Sequence, residues 1–180
     1  NINSLANDKT ISPIERASNA MKKFIRLSDS EIVTPEIITD KIIQTLPKDN
    51  INESTLLLDI ASKQGEFVYA VYKKFGKKVA NNFYSIPTSK IAYEFTRKVY
   101  TLLDLDIENI EPNYTSYDLI EENDLTEDEY IKINNNNMKF DAIVGNPPYQ
   151  QSISTNKDNS SLSKQIFPYF IKFCIKLNPQ

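Results

Sequence analysis

From Thr55 to Ala61 the chain reads Thr-Leu-Leu-Leu-Asp-Ile-Ala, a continuous apolar run too short for a helix. A strand with one wet face alternates in polarity; a run without alternation is expected to be covered on both faces, as strands are inside a parallel sheet. Parallel neighbours need crossover connections, and these follow at once. Ser62 to Gly65 read as a tight loop, Phe67, Val68, Val71, Tyr72 and Phe75 fall at helical spacing, and Gly76 is a natural terminator before Lys77-Lys78. The unit repeats, with Asn82-Phe83-Tyr84-Ser85-Ile86 as a strand, Pro87 as a break, and Ile91, Phe95, Val99 and Leu102 as a helical stripe. A less distinct third unit runs from Ile107 and Ile110 through Tyr114 to Leu119. Phe140-Asp-Ala-Ile-Val-Gly145 is another buried strand, and it leads straight into Asn146-Pro147-Pro148-Tyr149. Strands alternating with helices predict an open, doubly wound α/β sheet with right-handed crossovers, whose ligands lie beyond the carboxyl ends of the strands.

Residues 51–180 carry this pattern, and residues 1–50 read as an N-terminal helical segment. Residues 1–11 have no clear period. Ser12-Pro13-Ile14-Glu15 is a capping box with proline at the first helical position, and Ile14, Ala17, Met21 and Phe24 continue a stripe toward Leu27. Thr34-Pro35-Glu36 repeats the grammar: Thr34 as cap, Pro35 in the first turn, Glu36 at the positive helix end. Ile37, Ile38, Ile42 and Leu46 are then the expected buried face, and Pro47 the stop. The acidic stretch from Glu121 to Glu129 reads as a solvated face or loop, Asn134 to Asn137 as a flexible surface loop, and residues 150–161 as mobile. Ile166, Phe170, Ile171 and Cys174 sketch a last helix that Pro168 starts or kinks.

Composition narrows the chemistry. With 180 residues, 40% of them hydrophobic and 25% charged, the chain is expected to form one sizeable core. No apolar run approaches the roughly 20 residues of a membrane helix, and Asn1-Ile2-Asn3 lacks a signal-peptide start, so the expectation is a soluble cytoplasmic protein without a membrane partner. Cys174 is the one cysteine and histidine is absent, which excludes an internal disulfide, the usual zinc sites and every His-based triad. A net charge of −3 supplies no global attraction to nucleic acid. Glycine occurs three times, at Gly65, Gly76 and Gly145, where average usage would supply about a dozen.

The chemistry-bearing segment is Asn146-Pro147-Pro148-Tyr149. Two prolines after a buried strand hold a rigid turn that has acceptors and no amide donors of its own. The side-chain oxygen of Asn146 and the backbone carbonyl of Pro147 are placed to accept both hydrogens of an amino group, drawing its nitrogen out of conjugation with an aromatic base. Tyr149 offers a face for stacking, worth about 1–3 kcal/mol per base. At average composition this four-residue string arises by chance about once per thousand or so chains of this length.

The string FDAIVGNPPY resembles motif IV of the S-adenosylmethionine-dependent amino-methyltransferases, and in particular the gamma-class DNA adenine-N6 methyltransferases of restriction-modification systems, the Eco57I-like methylases. Leu58 to Phe67 is similar to their motif I, approximately DPACGSGxF: Asp59, Ala61, Gly65 and Phe67 agree, and Ser62 lies in the same turn. The resemblance implies that this loop approaches the methionine part of S-adenosylmethionine, with Gly65 removing a side chain that would block it. Thr34-Pro35 is similar to motif X, which contacts the same end of the cofactor; Asp118 falls where motif III places a polar residue near its adenine. Two positions depart from the pattern. Lys63 replaces a glycine, so the loop is expected to take another path or to narrow the cofactor pocket, and Ile86-Pro87-Thr88 stand where an acidic residue usually meets the ribose hydroxyls.

Motif X precedes motif I, and Asn146 follows Asp59 by only 87 residues, which is the gamma-class order. The resemblance then implies a Rossmann-like methyltransferase sheet truncated before its last strands, with a DNA-recognition domain beyond Gln180. It implies transfer of a methyl group to the exocyclic amine of an adenine flipped from DNA, with Asn146, Pro147, Pro148 and Tyr149 as catalytic residues and no metal. A protein-glutamine or RNA methyltransferase, or a piece without activity of its own, are the alternatives.

Overall fold

The computed structural model describes residues 7–23, 32–120, 130–152 and 163–179. In chain order these form helices α1 (Pro13–Met21) and α2 (Glu36–Gln44), strand β1 (Leu57–Ser62), helices α3 (Glu66–Phe75) and α4 (Lys77–Ala80), strand β2 (Phe83–Pro87) and helix α5 (Lys90–Leu102). Then follow β3 (Ile131–Ile133), β4 (Asn136–Met138), β5 (Ala142–Val144), β6 (Gln150–Ser152), β7 (Ser163–Gln165) and helix α6 (Phe167–Leu177).

The central sheet has the order β2-β1-β5 and is parallel throughout. Leu57 is paired with Phe83 on one side and Ala142 on the other, so β1 lies in the middle. All six of its residues are buried, as the unbroken apolar run predicts. Alternation along the strands divides the core. Leu57, Phe83 and Val144 face a cluster built with Ala17 and Ala20 of α1, Ile43 of α2, Phe67, Val68 and Val71 of α3, and Val99 and Tyr100 of α5. Leu58, Ile60 and Ile86 face the other cluster, with Ile131, Ile133, Phe140, and Phe170, Phe173 and Leu177 of α6. Leu57 and Leu58 are adjacent, fully buried, and covered by different layers; each burial contributes about 1.5–3 kcal/mol. On the first face the buried Tyr100 hydroxyl is satisfied internally: it donates to the Phe83 carbonyl at 2.9 Å and lies 3.0 Å from Ser85 Oγ.

Several local expectations need correction. The Ser12 capping box forms, with Ser12 Oγ accepting from Glu15 N–H and the Glu15 carboxylate accepting from Ser12 N–H; Phe24 and Leu27 lie outside the described residues. Thr34 does not cap α2. Pro35 occupies the cap position without a side-chain hydrogen bond, and the Thr34 hydroxyl is engaged elsewhere. Ile37 and Ile38 are 66% and 41% exposed, because α2 meets α3 along its Thr39–Ile43 line instead. Ile91 is likewise exposed, and α5 buries Ala92, Thr96, Val99 and Tyr100; Ile171 is exposed on α6, which buries Phe170, Phe173 and Leu177. Pro87 ends β2 from within, paired with Ser62 across a bulge in β1. The third unit contributes a single parallel bridge, Ser85 to Ile110, rather than a full strand. Asn134 and Asn135 form the tight turn of the β3–β4 hairpin, where asparagine tolerates their φ of 50° and 67°. The first residues of the stretch read as mobile form β6, which pairs with β7 just beyond it; residues 121–129 and 153–162 lie outside the described residues. Among the described residues no helix is long and apolar enough to cross a membrane.

Candidate functional site

The site grows from the carboxyl ends of the parallel strands. At Gly145 the chain leaves β5 with φ 154°, and a Cβ there would lie 3.1 Å from Asp59 Oδ1, so glycine lets the chain pass beside the buried end of β1. Asn146 follows, half-buried, with Pro147 and Pro148 buried and Tyr149 62% exposed. Asn146 is held at three atoms. Its carbonyl accepts from Lys63 Nζ at 2.9 Å, its Nδ2 donates to Thr34 Oγ1 at 3.1 Å, and its Oδ1 accepts from the Tyr149 hydroxyl at 3.1 Å. Segments expected from sequence to act together, Thr34 and Asn146, are therefore in direct contact across 112 residues of chain. The Tyr149 carbonyl accepts from Ile166 N–H at 3.0 Å, and its ring lies 5.5 Å from that of Phe167 at an interplanar angle of 45°, so the β6–β7 pair returns the start of α6 to the corner.

Thr34 and Pro35 line a cavity of about 570 Å³ together with Met21, Val33, Glu66 and Tyr69. Asp118 lies in a second cavity of about 430 Å³, beside Pro87, Lys90, Glu111 and Tyr114, and its carboxylate accepts from Thr115 N–H at 2.6 Å. Backbone bonds continue from the ends of β1 and β2: Thr88 N–H donates to the Ser62 carbonyl at 3.0 Å and Ser116 N–H to the Pro87 carbonyl at 2.9 Å. The hydroxyls of Thr88 and Ser116 are buried with no hydrogen-bond partner among the described residues. Orphaned donors at the mouth of a sheet are unfavourable unless something meets them.

The residues matched to motif I are packed into the protein. Ala61 and Phe67 are 2% and 1% exposed. Ser62 Oγ lies 3.0 Å from Thr96 Oγ1 of α5. Gly65 has φ 76°, and a Cβ on it would meet Val99 Cβ at 3.2 Å, so the crowding that glycine relieves comes from α5. Asp59 is fully buried, with Oδ1 accepting from Ala61 N–H at 3.0 Å. Burial first, and the Glu66 charge second, push its carboxyl well above the usual range, against the pull of the Ala61 N–H and the Lys63 charge.

Sequence reasoning marked Lys63 as a departure but missed its contact with Asn146, and it missed Gln64 and Glu66, which line the larger cavity. They are 3–4% exposed, and the signal was their polarity immediately after a strand buried on both faces. Lys63 neither opens the loop nor lines the larger cavity; its ammonium is turned onto the carbonyls of Ile32, at 2.8 Å, and Asn146. Among the described residues no group of three or more acidic or cysteine side chains is placed to hold a metal ion.

A parallel sheet thus carries an Asn-Pro-Pro-Tyr corner at the mouth of its central strand, held there by Lys63 and Thr34. The family model described as Eco57I restriction-modification methylase matches residues 81–180, over half of the chain, and the chain belongs to that family. A Mycoplasma pneumoniae (strain ATCC 29342 / M129 / Subtype 1) protein named "Uncharacterized adenine-specific methylase" is similar to it, 42% identical over 65 residues, which are 36% of this chain and 15% of that protein. The chain thus spans a small part of the length of the curated relative it matches. No solved structure matches it.

Proposed function

We propose that the chain is the core of an S-adenosylmethionine-dependent DNA adenine-N6 methyltransferase of the gamma class, with a Rossmann-like, doubly wound sheet. The observation that carries this reading is the corner itself: Asn146 pinned between Lys63 and Thr34 at the end of β1, with Tyr149 open to solvent beside it. The name of the Mycoplasma relative, an adenine-specific methylase, supports adenine as the acceptor.

The residues present fit the cofactor. Thr34, Pro35 and Glu66 would hold its methionine end around the larger cavity, and Asp118, in the second cavity, would lie toward its adenine. Asp59, Ala61, Ser62, Gly65 and Phe67 would shape the loop from beneath. When bound, S-adenosylmethionine supplies an electrophilic methyl group on a sulfonium. The chain does the rest by placement. Asn146 Oδ1 and the Pro147 carbonyl accept the two N–H hydrogens of the target amine, turning its lone pair out of conjugation and stabilising the positive charge that develops on nitrogen. The Pro147-Pro148 pair keeps these acceptors rigid, and Tyr149 stacks on the extruded base.

The test is transfer of labelled methyl to DNA, RNA and protein substrates by the complete protein and by its Asn146→Ala variant. DNA adenine methylation that falls by orders of magnitude in the folded variant is the expected result. Label appearing in RNA or protein alone, or an undiminished variant, refutes the reading.

A further inference from the structure

Lys63 stands where the family's loop carries glycine, and it is 3% exposed. An ammonium withdrawn from water is tolerated only where its N–H groups find strong acceptors and its charge is balanced. Here the acceptors are two backbone carbonyls from segments 31 and 83 residues away, Ile32 at 2.8 Å and Asn146 at 2.9 Å, and the Lys63 charge lies close enough to Asp59 to pull that carboxyl downward against its burial. The carbonyl on one side belongs to the residue whose Oδ1 is offered to the substrate amine. The other belongs to the segment entering Thr34, whose hydroxyl accepts from Asn146 Nδ2. Lys63, Asn146 and the Ile32–Thr34 segment thus form a closed ring of contacts, in which the backbone of Asn146 cannot turn without breaking a partly buried ionic hydrogen bond.

We propose, resting on the function inferred above, that Lys63 is a positioning residue for methyl transfer: its ammonium clamps the Asn146 backbone to the Ile32–Thr34 segment and so preorganises the Asn146 and Pro147 acceptors. It does not touch the substrate. Its contribution is to the geometry in which the amine is met, so its loss acts on turnover more than on binding. The replaced glycine of the family's loop could not perform this, and restoring glycine here removes the clamp.

The test compares Lys63→Met, Lys63→Gly and Lys63→Arg in the complete protein, by steady-state methylation of duplex DNA, with circular dichroism and thermal melts as folding controls. Expected is a fall in kcat of about 100-fold for Met and Gly, the scale of a misplaced reacting group. KM for DNA should stay near the wild-type value, and Arg, which keeps donors for both carbonyls, should recover most of the rate. Wild-type kcat in folded Lys63→Met or Lys63→Gly overturns the proposal. So does a rate loss that only follows the folded fraction, with KM and kcat moving together. If Met and Gly fail to fold, Lys63→Arg decides: near-wild-type kcat supports the clamp, and a folded Arg variant about 100-fold slower overturns it. Wild-type protein that does not methylate DNA adenine defeats the function itself; an active wild type with a dead Asn146→Ala variant and a normal Lys63→Met variant defeats this inference alone.

Discussion

Tyr149 donates its hydroxyl to Asn146 Oδ1 at 3.1 Å, so the acceptor assigned to the substrate amine is occupied by the ring assigned to stack on the base. An amide oxygen has two lone pairs, so an entering amine either shares Oδ1 with the hydroxyl or replaces it, and replacement is nearly neutral in energy. The ring and the hydroxyl therefore have separable roles. Tyr149→Phe keeps the stacking face and releases Oδ1 early; it is expected to methylate within about tenfold of wild type, the range set by one neutral hydrogen bond. Tyr149→Ala loses stacking worth about 1–3 kcal/mol, and its kcat/KM should fall roughly 5- to 150-fold. Steady-state kinetics on one DNA substrate distinguishes the two; equal losses would tie the activity to the hydroxyl.

Gly65 combines a left-handed backbone with a neighbour, Val99, already at 3.2 Å from its missing Cβ. Gly65→Ala is expected to destabilise the fold by about 1–3 kcal/mol through φ strain and overpacking. Chemical denaturation of Gly65→Ala, Val99→Ala and the double variant measures the split. The double variant should be more stable than the sum of the single losses predicts, because shortening Val99 relieves the clash while the φ strain stays.

Asp59 gives stability a pH dependence of known sign. Its folded-state pKa is raised by burial and by Glu66, so the folded chain binds the proton more tightly than the unfolded chain. Its favourable contribution is complete below the ordinary aspartate range and is lost as pH rises toward the folded value. Asp59→Asn keeps an oxygen for the Ala61 N–H but cannot ionise. Denaturation between pH 4 and 8 should show the variant gaining on wild type as pH rises; a difference independent of pH would contradict the assignment.

Cys174, half-buried on α6, has its thiol pushed up to about 11 by burial. At pH 8 its thiolate fraction is roughly a thousandth, against about a quarter for an ordinary thiol. Alkylation of the native protein at that pH should be slower than that of the urea-unfolded chain by about two orders of magnitude, scaled by that fraction. Mass spectrometry of the time course reads this directly.

Much of the frame was legible because it follows from local rules. The buried run at Thr55–Ala61 became the central strand, and the capping box at Ser12 starts α1 as its spacing predicts. The Asn-Pro-Pro-Tyr corner, legible as a rigid string, lies at a strand end. Which helical face is buried was less legible: Ile37, Ile91 and Ile171 satisfy a hydrophobic period yet face solvent, since α2, α5 and α6 turn Thr39, Thr96 and Phe173 inward instead. Thr39 and Thr96 are smaller than isoleucine and let α2 and α5 approach their neighbours more closely, whereas α6 buries the larger Phe173; no single-helix pattern reports the partner's shape.

What the amino-acid order determined by itself is set by sterics and water within a few residues: the alternation of strand and helix, the stiffness of Pro147-Pro148, the freedom of Gly65 and the absence of imidazole. What the tertiary structure alone decided is who meets whom across long stretches of chain. Lys63 looked like a misfit in a glycine loop, and only the packing of segments 31 and 83 residues distant shows its ammonium on two carbonyls. Thr34 looked like a helix cap until Asn146, 112 residues on, was seen to claim its hydroxyl. A side chain's chemistry is covalent and local, whereas its partner is chosen by the arrangement that buries the most apolar surface while leaving few polar groups unmet.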